Sequence, residues 1–230
     1  DLEVLGRRIA EMGGVAEKML AEAMDALASF DMELAHRVVA TDTRLDALQR
    51  EIEESAILTI ARRQPLAIDL RECIAAMRIA ADLERVGDLA KSIAKRTVKI
   101  LSEARVPRAI IGLKTMAEVA SLQLKDVLDA YAQRDVERAK AVWASDTELD
   151  ALEDSVFRDL LTFMMEDPRN ISFCTHLLFC SKNIERIGDH TTNVAETIVY
   201  LVTGEAMPTE RPKGGRPAAP PAADSKEPTP

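Results

Sequence analysis

The residues best equipped for chemistry are acids, and they come in pairs one helical turn apart. Glu84-Arg85-Val86-Gly87-Asp88 recurs almost unchanged as Glu185-Arg186-Ile187-Gly188-Asp189. A Glu and an Asp at i and i+4 project from the same face of a helix, where their like charges oppose helix formation by a few tenths of a kcal/mol. The glycine within the same turn costs roughly 1 kcal/mol more relative to alanine. Penalties repeated at equivalent places in two half-chains point to compensation: a cation among the oxygens and a close neighbour against each glycine. Asp42 and Asp46, and again Asp146 and Asp150, supply further acids at the same spacing. If the helices bearing them pack antiparallel to those carrying the glutamate motifs, two acids from each converge on one cavity. Hard oxygen ligands of this kind suit Mg, Mn, Ca or iron and can hold zinc, without choosing among them.

A lone DxxxD or ExxxD is usually a solvated face. Four pairs at repeat-equivalent positions, two with an embedded glycine, favour a metal. Leu70, Ile74, Met77 and Ala81 also form a stripe that runs into Glu84 and Asp88, and Leu178 leads into Glu185, Asp189, Asn193 and Glu196. The neighbouring Arg85 and Arg186 are suited to ion pairs or to a partner rather than to ligation. Lys91 and Lys95 lie near the first site, whereas Thr192 and Glu196 stand at the matching places in the second. The two sites are therefore expected to differ in charge and affinity.

The elements that must position these acids are helices. Only 3% of residues are aromatic, and the 47% hydrophobic content is mostly Leu, Ile, Ala, Val and Met, side chains that pack between helices. Phe30 to Leu48 aligns with Arg134 to Leu152 at an offset of 104, pairing Asp31 with Asp135, Asp42 with Asp146, Leu45 with Leu149 and Asp46 with Asp150. The glutamate motif repeats at an offset of 101 (185 minus 84), so three residues are lost in the second unit, most plausibly at the turn around Pro65 and Pro168. Each unit reads as three long helices: Asp1 to Ser29, Asp31 to Arg63 and Asp69 to Ser102, then Arg108 to Gln133, Asp135 to Glu166 and Ser172 to Thr203. Asp69 and Glu72 have capping-box spacing, Pro65, Pro107 and Pro168 break helices, and Gly204 stops the last one. The expected fold is all-α: two tandem, repeat-related three-helix bundles over 1–105 and 106–204. From 205 to 230, seven of the ten prolines and little apolar content predict a disordered tail.

Composition excludes several functions. A net charge of -9 would repel a nucleic-acid backbone. No apolar run reaches 18 residues; the most apolar stretch, Phe173 to Cys180, is short and contains His176, so no membrane span is expected. Cys73, Cys174 and Cys180 lack CxxC spacing and read as reduced core thiols. No nucleophile elbow, P-loop or Gly-rich dinucleotide turn is present, and no enzyme activity is expected. Glu33-x-x-His36 alone matches the spacing of carboxylate-bridged iron bundles, and it lies outside the acidic stripe.

The same residues resemble the PhoU family of phosphate-transport accessory and phosphate-regulon regulatory proteins. The likeness lies in Ala61-Arg62-Arg63-Gln64-Pro65, Asp69-Leu70-Arg71 and Ala81 to Asp88 in the first half, and in Met164 to Arg169, Leu178-Phe179-Cys180 and Ile184 to Asp189 in the second. It covers residues 1 to 204. The resemblance implies metal clusters, of iron or zinc with Mg or Mn as alternatives, held by Asp42, Asp46, Glu84 and Asp88 in one unit and by Asp146, Asp150, Glu185 and Asp189 in the other. His190 and Asn193, which follow the second motif, are further candidates. It also implies a cytoplasmic homodimer, peripheral at the inner membrane through its partners, that restrains phosphate uptake and the starvation response. Its partners would be the ATPase subunit of the phosphate ABC transporter and the sensor histidine kinase of a two-component system. A carboxylate-bridged iron oxidase or storage bundle and a metal-free helical adaptor are the competing readings.

Overall fold

The computed structural model describes residues 2–100 and 107–208. Among them run α1 (Leu2–Ser29), α2 (Met32–Arg63) and α3 (Ile68–Ile100), a 3-10 turn (Pro107–Ile110), and α4 (Ile111–Gln133), α5 (Val136–Ala144) and α6 (Asp146–Glu166). A second 3-10 turn (Pro168–Asn170) and α7 (Ile171–Thr203) follow. The chain is all-α, two three-helix bundles in tandem. Expectations for residues 101–106 and 209–230, the body of the tail included, lie outside the described residues.

Each bundle is closed by the helical period of its apolar residues. In α1, Leu5, Ile9, Met12, Ala16, Met19, Leu20, Ala23 and Leu27 are buried, the three-and-four spacing of a single face. Burying a Leu, Ile or Met side chain stabilises by about 1.5–3 kcal/mol, so this stripe fixes which way α1 turns.

The connections repeat with the sequence. Phe30 and Arg134, equivalent residues, take left-handed backbone conformations (φ 57° and 56°) that end α1 and α4. Asp31 and Asp135 then cap the next helices, accepting from the Leu34 and Arg138 backbone N–H at 2.9 and 3.0 Å. Each cap is worth about 1 kcal/mol.

The third helix of each unit supplies the interface between units. Arg71 near the start of α3 donates to the Leu201 carbonyl near the end of α7, while Arg96 near the end of α3 lies over Phe179 near the start of α7. α3 and α7 are therefore antiparallel, and the α2–α3 and α6–α7 turns sit at opposite ends of the molecule. α1 also packs against α4. Among the described residues no helix is long and apolar enough to cross a membrane.

Two local expectations are corrected. The helix expected from Asp135 to Glu166 is interrupted at Ser145, between α5 and α6. There the Gln123 amide on α4 donates to both the Ser145 carbonyl and its Oγ at 3.1 Å, engaging a backbone acceptor at the break. Glu72 is not free to cap α3: it is buried and binds Tyr131 Oη at 3.2 Å and the Arg134 guanidinium, both in the second unit.

Candidate functional site

The two motif glycines set the geometry. A Cβ on Gly87 would stand 2.1 Å from Leu45 Cδ2, and one on Gly188 would stand 2.5 Å from Leu149 Cδ2. Those leucines are repeat equivalents, each placed between the two aspartates of its own helix. The missing side chain lets the leucine seat directly on the neighbouring helix, which brings DxxxD against ExxxD. The propensity cost of the glycine is the condition for that approach.

In the first unit the acids surround an ammonium. Lys91 Nζ donates to Asp42 Oδ2 at 2.5 Å and to Asp88 Oδ1 at 2.6 Å, and Asp42 is only 8% exposed. Burial opposes charging Lys91, yet the bonds to Asp42 and Asp88 raise its pKa above the usual lysine value. Burial likewise works against the Asp88 carboxylate, but Lys91 holds its pKa below the ordinary one. Glu84 is pushed up by burial and then by the charge of Asp88, with Asp46 adding to it and Arg85 opposing. The exposed Arg85 pairs with Glu84 and Asp88 at 3.4 and 3.5 Å.

The second unit keeps the acids and changes what answers them. Thr192 occupies the place of Lys91, and its hydroxyl donates to the Asp189 backbone carbonyl at 2.8 Å, so it brings no charge. Lys182 approaches from the exposed side and binds Glu185 Oε1 at 2.8 Å. The other oxygen, Glu185 Oε2, is buried without a hydrogen-bond partner among the described residues. Burial pushes the Glu185 carboxyl up; Lys182 opposes this, while Asp189 and Asp150 reinforce it. Asp150 itself is exposed, and so is Arg186.

Gln123 was not among the residues that the sequence singled out. It is 5% exposed, and its Oε1 is the second buried oxygen without a partner. Asp146 Oδ1 and Gln123 Oε1 each lie 3.7 Å from the point a Gly188 Cβ would occupy. Extending the offset of 104 back into the first helix pairs Gln123 with Met19, whose Cε is 3.6 Å from the corresponding point at Gly87. A polar residue standing where the repeat has an apolar one was the available signal.

Other candidates fall elsewhere. His190 Nδ1 lies 2.9 Å from Asp82 Oδ1, and Asn193 Nδ2 donates to the same oxygen at 3.3 Å, so both serve the α3–α7 interface rather than the cluster. Glu196 accepts from Trp143 Nε1 at 3.0 Å. The stripe beyond Asp189 thus diverges from the acids. Ala81 is exposed and Ile74 and Met77 are half-buried, which puts Glu84 and Asp88 on the shoulder of α3 rather than along its core line. Glu33 and His36 are both exposed on α2. The three cysteines are free and buried.

Among the described residues no three His, Cys, Asp or Glu side chains are grouped so as to hold a metal ion. A cation in either cluster needs a donor of another kind or a side-chain rotation. In the second cluster the Gln123 amide oxygen is a donor of another kind, lying 3.7 Å from the same point over Gly188 as Asp146 Oδ1. The first does not fit as it stands, because Lys91 already bridges its aspartates.

Fold and site together define a tandem-repeat helical bundle with one acidic cluster per repeat. The PhoU domain model matches residues 9–97 and 113–198, and the chain belongs to the PhoU family. It is 56% identical over 214 residues to the phosphate-specific transport system accessory protein PhoU homolog of Rhizobium meliloti (strain 1021), covering 93% of this chain and 90% of that one. The homologue of the same description from Caulobacter vibrioides (strain NA1000 / CB15N) is 50% identical, with 93% of each chain covered. Among solved structures, PhoU from Pseudomonas aeruginosa matches with TM-score 0.85 and 36% identity over 89% of this chain and 98% of that one. The phosphate transport system regulatory protein PhoU from Streptococcus pneumoniae matches with TM-score 0.83 and 27% identity over 90% and 97%.

Proposed function

We propose that this protein is an accessory protein of a phosphate-specific transport system, acting as a negative regulator of phosphate uptake and of the phosphate-starvation response. The observation that carries this reading is the 56% identity, spanning both repeats, to a relative named as an accessory protein of a phosphate-specific transport system. The protein would work at the cytoplasmic face, coupling the ATPase subunit of the phosphate ABC transporter to a sensor histidine kinase, and would do so as a homodimer peripheral to the membrane.

Its surface supports an adaptor. Ile57, Leu58, Leu66 and Ile68 are exposed at the α2–α3 end, and Phe157, Leu161, Met165 and Ile171 at the α6–α7 end. Exposed apolar groups gathered this way mark contact surfaces, and two ends offer two partners. In the same reading a bound cation, of iron or zinc or else Mg or Mn, neutralises crowded carboxylates and fixes how the second and third helices of a unit pack. Asp146, Asp150, Glu185 and Asp189 would hold it.

Deleting the gene in its native bacterium tests the proposal. Constitutive starvation-gene expression and unrestrained phosphate uptake at high phosphate are expected, with restoration by the intact gene. Normal repression in the deletion strain would contradict it.

A further inference from the structure

The turns that follow α2 and α6 are repeat equivalents at opposite ends of the molecule, and they carry opposite charge. Arg62 and Arg63 close α2; the offset of 104 (166 minus 62) puts Glu166 and Asp167 in their places at the end of α6. That offset holds this far along the helices, because it still pairs the buried Ile52 and Ala56 with the buried Val156 and Leu160. Both arginines are exposed and outweigh Asp69, the one acid from 62 to 69. From 166 to 171 the two acids outweigh Arg169, which pairs with Asp167 at 2.7 Å. A chain of net charge -9 thus keeps a positive charge on the α2–α3 turn.

The same turn projects apolar side chains. Gln64 and Ala67, on either side of Pro65-Leu66, take left-handed conformations (φ 49° and 50°), which are strained for residues with a side chain. Strain of this kind persists where the surroundings enforce it, and it gathers at working surfaces. Here it holds Leu66 80% exposed and Ile68 53% exposed at the tip, with Ile57 and Leu58 exposed along the last turns of α2. Ile57 lies six residues before Arg63 (63 minus 57), about 9 Å at the helical rise, so these four side chains occupy the outermost 9 Å or so of α2 and its turn. Proteins that lie on a bilayer bury their apolar side about 5–10 Å into the boundary between headgroups and acyl chains.

We propose that the α2–α3 turn docks directly on an anionic lipid surface, with Leu66, Ile68, Ile57 and Leu58 entering the interface and Arg62 and Arg63 meeting lipid phosphates. This rests on the reading that the protein works peripherally at a membrane, and it adds a contact with the lipid itself. A convex apolar tip suits a fluid surface, which gives way around it, whereas a protein partner would need a matching cavity. The acidity of the whole chain does not oppose docking, because charges more than about 8 Å from the surface are largely screened at physiological ionic strength. The acidic α6–α7 turn, at the other end, then points away from the bilayer and presents Phe157, Leu161 and Met165 to a protein partner.

Flotation of the full chain with vesicles tests this, using phosphatidylcholine alone and phosphatidylcholine mixed with phosphatidylglycerol. Binding is expected only with phosphatidylglycerol present, weakening as salt is raised. Leu66→Glu should weaken it about tenfold or more, the scale of one exposed leucine buried. Arg62→Ala and Arg63→Ala should each weaken it about fivefold. Met165→Glu, at the opposite end, should leave it unchanged, with circular dichroism confirming that every variant is folded. Absence of binding to phosphatidylglycerol vesicles, or binding that Met165→Glu removes and Leu66→Glu leaves intact, would overturn the proposal. Absence of vesicle binding combined with loss of starvation-gene repression in a Leu66→Glu strain would assign the turn to a protein partner, ending the lipid reading and leaving the regulatory one. Vesicle binding as expected, in a protein whose deletion leaves repression normal, would uphold the docking and remove the regulatory role.

Discussion

The two clusters share a backbone arrangement and differ in how their charge is answered. In the first, an ammonium reaches Asp42 and Asp88 at 2.5 and 2.6 Å from within the same helix pair. In the second, the positive charge of Lys182 binds Glu185 from an exposed position, and among the described residues one buried oxygen each of Glu185 and Gln123 has no hydrogen-bond partner. Duplication copied the glycine, the leucine and the acids that set the geometry. The compensating groups diverged.

The shared part of the comparison is broken most severely at the glycines. Gly87→Val or Gly188→Val forces a side chain onto Leu45 or Leu149 and is expected to cost about 2–3 kcal/mol in either unit, read as a lowered urea midpoint. Gly6→Ala, where a Cβ meets nothing within 4 Å, serves as the control and should stabilise by about 0.5–1 kcal/mol. Equal tolerance at all three positions would show that the leucine contact does not position the clusters.

The unshared part is next. Lys91→Met leaves Asp42 buried beside Asp88 without its cation, with an expected loss of about 1–2 kcal/mol, below the full value of a buried pair because Lys91 and Asp88 retain 21% and 34% side-chain exposure. The lysine is held above its ordinary pKa of 10.5 and Asp88 below its ordinary 3.8. Their contribution is thus intact between those values, lost as acid protonates Asp88 below 3.8, and lost again as base neutralises Lys91 above 10.5. A stability difference between wild type and Lys91→Met that persists unchanged at both extremes would contradict the pairing.

Smallest is the opposite pH trend in the second unit. Glu185 has its carboxyl raised above 4.5, so the folded chain takes up its proton before the unfolded chain does. Stability from this group rises as pH falls from neutral through that raised value toward 4.5, the reverse of the Asp88 behaviour. Glu185→Gln should flatten that rise in thermal unfolding followed across the interval.

Helix identity and the acid pairs were legible because they rest on local rules: apolar period, the Asp31 and Asp135 caps, and the breakers Pro65, Pro168 and Gly204. What escaped depends on side chains from other helices. Ser145 interrupts a helix because Gln123 reaches it from α4; Glu72 abandons its capping geometry because Tyr131 and Arg134 of the other unit claim it. His190 and Asn193 follow the motif in sequence yet face Asp82, since the α3–α7 packing turns that side of the helix toward the first unit. The distinction between the clusters was half visible in Lys91 and Thr192, and its other half, Gln123, required the offset to be carried into the first helix.

Anomalous diffraction from crystals of the intact protein soaked in Mn(II) tests the central claim most directly, that equivalent carboxylates are answered by an ammonium in one unit and by an ion in the other. The expected result is an anomalous peak among Asp146, Asp150, Glu185 and Asp189, with Lys91 Nζ still between Asp42 and Asp88. A peak between Asp42 and Asp88 with Lys91 displaced, or peaks in both units alike, would contradict it.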